Sequence, residues 1–182
     1  MKFFNTIMTG TLCLLSFHAA AEWPSRITPV PPATGSAATA RGSLESGVAV
    51  DNLAWAWDSN VACFPQTQAS KFRGKHRFFT TQIPPNSKMD ITVIPLNEQQ
   101  NLSVYVYAMG MNDFYLPPKL PSAVTCEADY KRDRKRKGKQ QDHTRAVSLQ
   151  TARNPYKVVI GVTGPAETIT GHFKLQVSIK PR

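Results

Sequence analysis

The sequence predicts an all-β fold, a single β-sandwich of about eight strands. Three observations carry that reading. From Gly47 onward apolar residues recur at every second position, the side-chain period of strands rather than helices. Clusters of Pro, Gly, Asn and Ser interrupt the alternating runs at the spacing of short strands, as in sandwiches and barrels rather than βαβ units. No later stretch carries the period of a long amphipathic helix.

Taken along the chain, Val48 and Val50, with Leu53–Trp57, make an early strand. Phe78 and Phe79 begin or end another, and Met89, Ile91 and Val93 mark the next. Leu102, Val104, Val106 and Ala108 alternate with Ser103, Tyr105 and Tyr107. Ala146–Leu149 supplies a late strand. Tyr156, Val158, Ile160 and Val162 supply one more, with Val159 adding apolar character to its other face. The clearest run is the last: Phe173, Leu175, Val177 and Ile179 alternate with His172, Lys174, Gln176, Ser178 and Lys180, giving one dry and one wet face. Turn signals separate these runs at Pro84-Pro85-Asn86-Ser87, Pro95 to Asn101, Pro117-Pro118, Asn154-Pro155, and Gly164-Pro165 to Gly171.

The start of the chain is organised differently. Lys2 precedes an uncharged, mostly apolar run from Ile7 to Phe17, and Ala19-Ala20-Ala21 follows. That order is a cleavable secretory signal over residues 1–21, too short in its apolar part to span a bilayer comfortably. Cys13 lies inside the apolar run after Leu12, not after a small residue, so it is no lipidation site. The protein is expected in the periplasm or outside the cell. Residues 22–46 are rich in Pro, Ala, Thr and Ser without a period of 2 or 3.6, and read as a mobile leader. The sandwich domain is expected over 47–182, with a basic loop at 129–145.

Removing the signal takes one of 22 Lys and Arg residues and leaves the 12 Asp and Glu, so the processed chain carries about +9. Of this, +6 falls within Lys131–Lys139, where Lys131, Arg132, Arg134, Lys135, Arg136, Lys137 and Lys139 meet one acid, Asp133. Such a run repels itself, and a polyanion relieves the repulsion while releasing its own counterions. The readings are a loop that grips an anionic polymer or anionic membrane surface, a solvated hairpin tip that serves solubility, or a protease-sensitive loop. No aromatic residue interrupts the run, which disfavours sequence-specific nucleic-acid binding. Two cysteines remain, Cys63 and Cys126. In an exported chain they suggest a disulfide, worth roughly 4 kcal/mol for the loop it closes; the alternative is two buried thiols.

Gly74 to Leu96 (G-K-H-R-F-F-T-T-Q-I-P-P-N-S-K-M-D-I-T-V-I-P-L) resembles the opening strands of bacterial pre-peptidase C-terminal domains. Asn101–Gly110 resembles the strand that follows, and Asn154–Ile179 the closing hairpin, over about residues 74–179 with an insertion near 127–144. The resemblance implies a jelly-roll-like sandwich: a non-catalytic appendage of secreted enzymes that aids secretion, stability or substrate attachment. Calcium-binding members commonly carry D-x-D where this chain has Asn101 and Ser103. No metal site is carried over.

Chemistry-bearing motifs are sparse. His76, His143 and His172 sit in no metal or catalytic spacing and read as surface histidines. No G-x-S-x-G or Gly-rich phosphate loop occurs, and no cofactor is expected. Asp58, Asp90, Asp113 and Glu127 are acids that only a fold can place together. Trp55 with Trp57, and Tyr105 with Tyr107, form platforms for sugar rings if exposed and core if covered. The function these features favour is a non-catalytic exported binding or accessory module contacting a polyanion through the basic loop. The alternatives are a protein-interaction or stabilising partner of a secreted enzyme, and a carbohydrate-binding module.

Overall fold

The structure, a computed structural model, describes residues 26–50, 52–53, 68–117, 119, 125–128, 137–138 and 143–182. The signal (1–21), Trp55, Trp57, Asp58, Cys63, Lys131, Arg132, Arg134, Lys135, Arg136 and Lys139 lie outside the described residues.

Among the described residues, ten strands form two sheets. They are β1 (Ile27–Pro29), β2 (Ala38–Ser43), β3 (Val48–Ala49), β4 (Lys75–Ile83), β5 (Ser87–Pro95), β6 (Ser103–Met109), β7 (Thr125–Glu127), β8 (Arg145–Gln150), β9 (Tyr156–Thr163) and β10 (His172–Pro181). One sheet has the order β1-β4-β9-β6-β7, with β3 also on β4; the other runs β2-β10-β5-β8. The all-β sandwich expected from alternation is therefore the fold.

The two sheets enclose a core in which Phe79, Ile83, Ile91, Val93, Val104, Val106, Ile160, Phe173, Leu175 and Val177 are fully buried. Each is an inward-facing position of the alternation, and close packing of such side chains supplies most of the stability. The six-stranded sheet also buries its other face. There Ile27, Leu53, Phe72, Phe78, Tyr105, Tyr107, Met109, Ala128 and Val159 form a second cluster. A strand dry on both sides reads as a continuous apolar run, as in Val158–Val162 of β9, where every residue is buried. The four-stranded sheet has one wet face: along β10, buried residues alternate with half-buried or exposed ones.

Two sequence expectations need correction. The leader 22–46 is not mobile throughout. Its Ile27–Pro29 lies parallel to β4, pairing Ile27 with Phe78, and its Ala38–Ser43 pairs antiparallel with β10. The stretch thus ties the two sheets along one side, and Leu44, just past β2, is completely buried. It lacked a visible period because the inward residues of β2 are Ala38, Ala40 and Gly42. Small residues are required there: a Cβ at Gly42 would overlap the rings of Phe173 and Phe79. The strand count is also higher than eight, since β1 and β7 hold only three residues each and β2 turns small side chains inward.

Between β4 and β5 the chain changes sheets through Pro84-Pro85-Asn86. Asn86 takes the left-handed conformation (φ 50°), which Asn tolerates better than most residues. Backbone bonds from Thr151 to Ser87 (2.9 Å) and from Asn86 to Ala152 (2.6 Å) close that corner.

Candidate functional site

The basic segment connects two sheet edges. β7 ends the six-stranded sheet and β8 ends the four-stranded one, and Lys131–Lys139 lies in the chain between them. Lys137 and Gly138 are described, both exposed in a turn. Gly138 has φ +74°, a conformation glycine adopts at no steric cost. Cys126, the described member of the expected cystine, is half-buried on β7 opposite Tyr105.

The chain enters β8 at Arg145, the largest fully buried side chain among the described residues. Its position pairs with Val93. The guanidinium donates from Nε to the Leu102 carbonyl (2.5 Å) and from Nη2 to Asn101 Oδ1 (2.8 Å), and His143 Nδ1 lies 3.4 Å away. A buried cation is tolerated only with such bonds. Asn101 opens the run Asn101-Leu102-Ser103, and its side-chain oxygen faces a guanidinium.

Beyond that end of β8 stretches the wet face of the four-stranded sheet. Register places its side chains in rows: Arg41 beside Lys174 beside Ile94, then Thr39, Gln176, Thr92 and Ala146, then Ser178, Asp90 and Ser148, then Lys180, Lys88 and Gln150. Lys88 bridges to Asp90 at 2.9 Å. Arg41 and Lys174 are directly opposite each other, and like charges so placed destabilise a sheet. The Arg41–Lys174 row borders the position where Arg145 opens β8, because Ala40, Leu175, Val93 and Arg145 share a row on the inner side.

The covered face of the other sheet corrects two expectations. Tyr105 and Tyr107 form no exposed platform. Their rings are buried at 0% and 1% exposure, since Phe72, Ile27 and Leu53 pack over the outer side of the sheet. Tyr107 donates its hydroxyl proton to the Tyr115 carbonyl (2.6 Å). His76 is not a surface histidine either: it is buried at 1% exposure. Its Nε2 lies 2.9 Å from the Phe72 carbonyl, which can only accept, so Nε2 carries the proton and donates. Nδ1 then accepts from the Tyr105 hydroxyl at 2.8 Å. The signal in the sequence was that His76 shares a strand face with Phe78.

Burial pushes the His76 pKa down from 6.5 to about 4, against a smaller upward pull from the Phe72 carbonyl. The unfolded chain takes up a proton below pH 6.5 that the folded chain refuses until about pH 4. The stabilisation is therefore full above pH 6.5 and drains away as pH falls towards 4. Linkage puts the loss at about 2–3 kcal/mol between about pH 7.5 and about pH 4.5. Urea unfolding of the native chain and a His76→Gln variant at both pH values measures it. The stability difference between the two should shrink by that amount at the lower pH, and a pH-independent difference contradicts the assignment.

Among the described residues, Asp90, Asp113 and Glu127 do not gather. Asp90 lies on the wet face, Glu127 on β7 of the other sheet, and Asp113 in the loop after β6, where its carbonyl accepts from Lys157 Nζ (3.2 Å). Among the described residues no group of three or more His, Cys, Asp or Glu is placed to hold a metal ion. No helix among them is long and apolar enough to cross a membrane.

Fold and surface together define a two-sheet β-sandwich with one covered sheet and one open, cationic sheet. No protein-family model matches the chain, and no curated relative does. Among solved structures it is similar to Aeromonas hydrophila PliG, a periplasmic lysozyme inhibitor of g-type lysozyme. The identity is 15%, covering 85% of this chain and 97% of that one, with a TM-score of 0.41. It is also similar to the pre-peptidase C-terminal domain of a collagenase from Bacillus anthracis, the domain class that residues 74–179 resemble. There the identity is 11%, covering 86% and 98% of the two chains, with a TM-score of 0.41. These are likenesses of β architecture, and nothing about ligand or partner follows from them.

Proposed function

We propose that this chain is a non-catalytic exported binding module, acting in the periplasm or outside the cell, that grips a polyanion through Lys131–Lys139. The observation that carries the reading is the charge density: seven cations and one acid in nine residues, within a chain otherwise close to balance. The exposed turn at Lys137–Gly138 supports it, because cations held in solvent keep their charge available to a partner. Export is supported by the signal over residues 1–21, and the Cys63–Cys126 cystine belongs to the same reading.

Replacing Lys135, Arg136 and Lys137 with Ser tests it. Retention on immobilised heparin, followed across a salt series, should show a log K against log[salt] slope shallower by about two to three. An unchanged slope would eliminate the proposal. A second reading, docking of an exported protein partner, is favoured by the exposed Leu96 and Ile169. Their loops meet where Gln100 Nε2 donates to the Thr170 carbonyl. Capture of such a partner equally well by the triple-serine variant would support that reading over the first.

A further inference from the structure

We infer that the wet face of the four-stranded sheet is itself a binding surface, and that its ligand is an acidic polysaccharide. The inference extends the polyanion reading but stands on different side chains, so either one can fail alone. Arg41, Lys88, Lys174 and Lys180 meet a single carboxylate on this face, Asp90, and that one is engaged by Lys88. Arg41 and Lys174 sit on adjacent strands with no carboxylate within ion-pair distance among the described residues. An opposed pair of cations costs stability in the free protein, and an anion seated between them reverses that cost.

The geometry selects among anions. Lys174 and Lys180 stand six positions apart on β10, about 20 Å along a strand. Between them the rows present hydroxyl and amide groups from Thr39, Gln176, Thr92 and Ser178. The surface is thus a track with charge at both ends and hydrogen-bonding groups along the middle. A polysaccharide bearing carboxylate or sulfate matches both parts. No aromatic ring lies in these rows, so stacking on nucleic-acid bases is not offered. A phospholipid headgroup layer would match the cations and leave the hydroxyl and amide rows unused.

The test uses the processed chain and two variants, Arg41→Ser/Lys174→Ser and Thr39→Ala/Gln176→Ala. The probes are heparin, a DNA duplex, and vesicles of anionic phospholipid. The cation variant should show a heparin salt slope shallower by about 1.5–2, with an unfolding midpoint equal to or above the native one, since a repulsion is removed. The Thr39/Gln176 variant should lose heparin affinity severalfold at unchanged slope, with duplex and vesicle binding unaltered. A heparin slope unchanged in the cation variant overturns the surface. Equal losses on all three probes in the Thr39/Gln176 variant overturn the assignment to polysaccharide. Both results are independent of the Lys135/Arg136/Lys137 variant, which reports on the basic segment alone.

Discussion

Replacing Arg145 with Met should lower the free energy of unfolding by about 3 kcal/mol, the larger of two core effects expected here. Methionine preserves most of the volume and leaves the alkyl stem in place. What is lost is the donor set: the buried Leu102 carbonyl and the half-buried Asn101 Oδ1 stay in place without the bonds they accept from the guanidinium. Each buried, unsatisfied acceptor costs about 1–3 kcal/mol. Lysine should rescue little, because an ammonium cannot reproduce the two directed bonds of a planar fork. Urea unfolding at neutral pH reads the effect as a shift in midpoint at constant m-value. A loss below about 0.5 kcal/mol would mean that these bonds hold nothing together.

Gly161→Ala is the second, and its sign is diagnostic. In the middle of an ordinary strand this change stabilises by about 0.5–1 kcal/mol, because glycine has more backbone freedom to lose. Here a Cβ would fall inside the Tyr105 ring. That ring has no room to retreat. Its hydroxyl is bound to His76 Nδ1 at 2.8 Å, and it makes a T-shaped contact with the Phe72 ring, centroids 6.2 Å apart. The expected cost is about 2–3 kcal/mol, the scale of overpacking in a tight core. In a Tyr105→Ala background the same substitution should cost less than about 1 kcal/mol, since the obstacle is gone. Equal costs in the two backgrounds, by chemical denaturation, would show that the ring is not the constraint.

Much of the architecture was legible because one face of each sheet meets the core. Phe173, Leu175, Val177 and Ile179 announced β10, and Met89, Ile91 and Val93 announced β5. Three strands, β1, β2 and β7, escaped for reasons of size. The inward side chains of β2 are alanines and a glycine, chosen by the bulk of Phe173 and Phe79 across from them, and such residues leave no hydropathic trace. β1 has three residues, and its parallel partner lies far along the chain. The burial of His76 was hidden by its flanking cations, Lys75 and Arg77, and that of Arg145 by its place at the end of a basic segment. Tyr105 and Tyr107 were ambiguous because strand period places them on the face opposite Val104 and Val106 but says nothing of what covers that face. The cationic segment stood out at once, since charge density is a property of composition. The opposition of Arg41 and Lys174 needed the register, because it joins residues more than a hundred positions apart.

As proposed, this sandwich is a cation-bearing module for an anionic polymer. The decisive measurement is the salt dependence of heparin binding by the native chain without residues 1–21. With most of the seven cations of Lys131–Lys139 engaged, log K should fall against log[salt] with a slope of about −5 or steeper. A slope shallower than about −1, at any affinity, would contradict it.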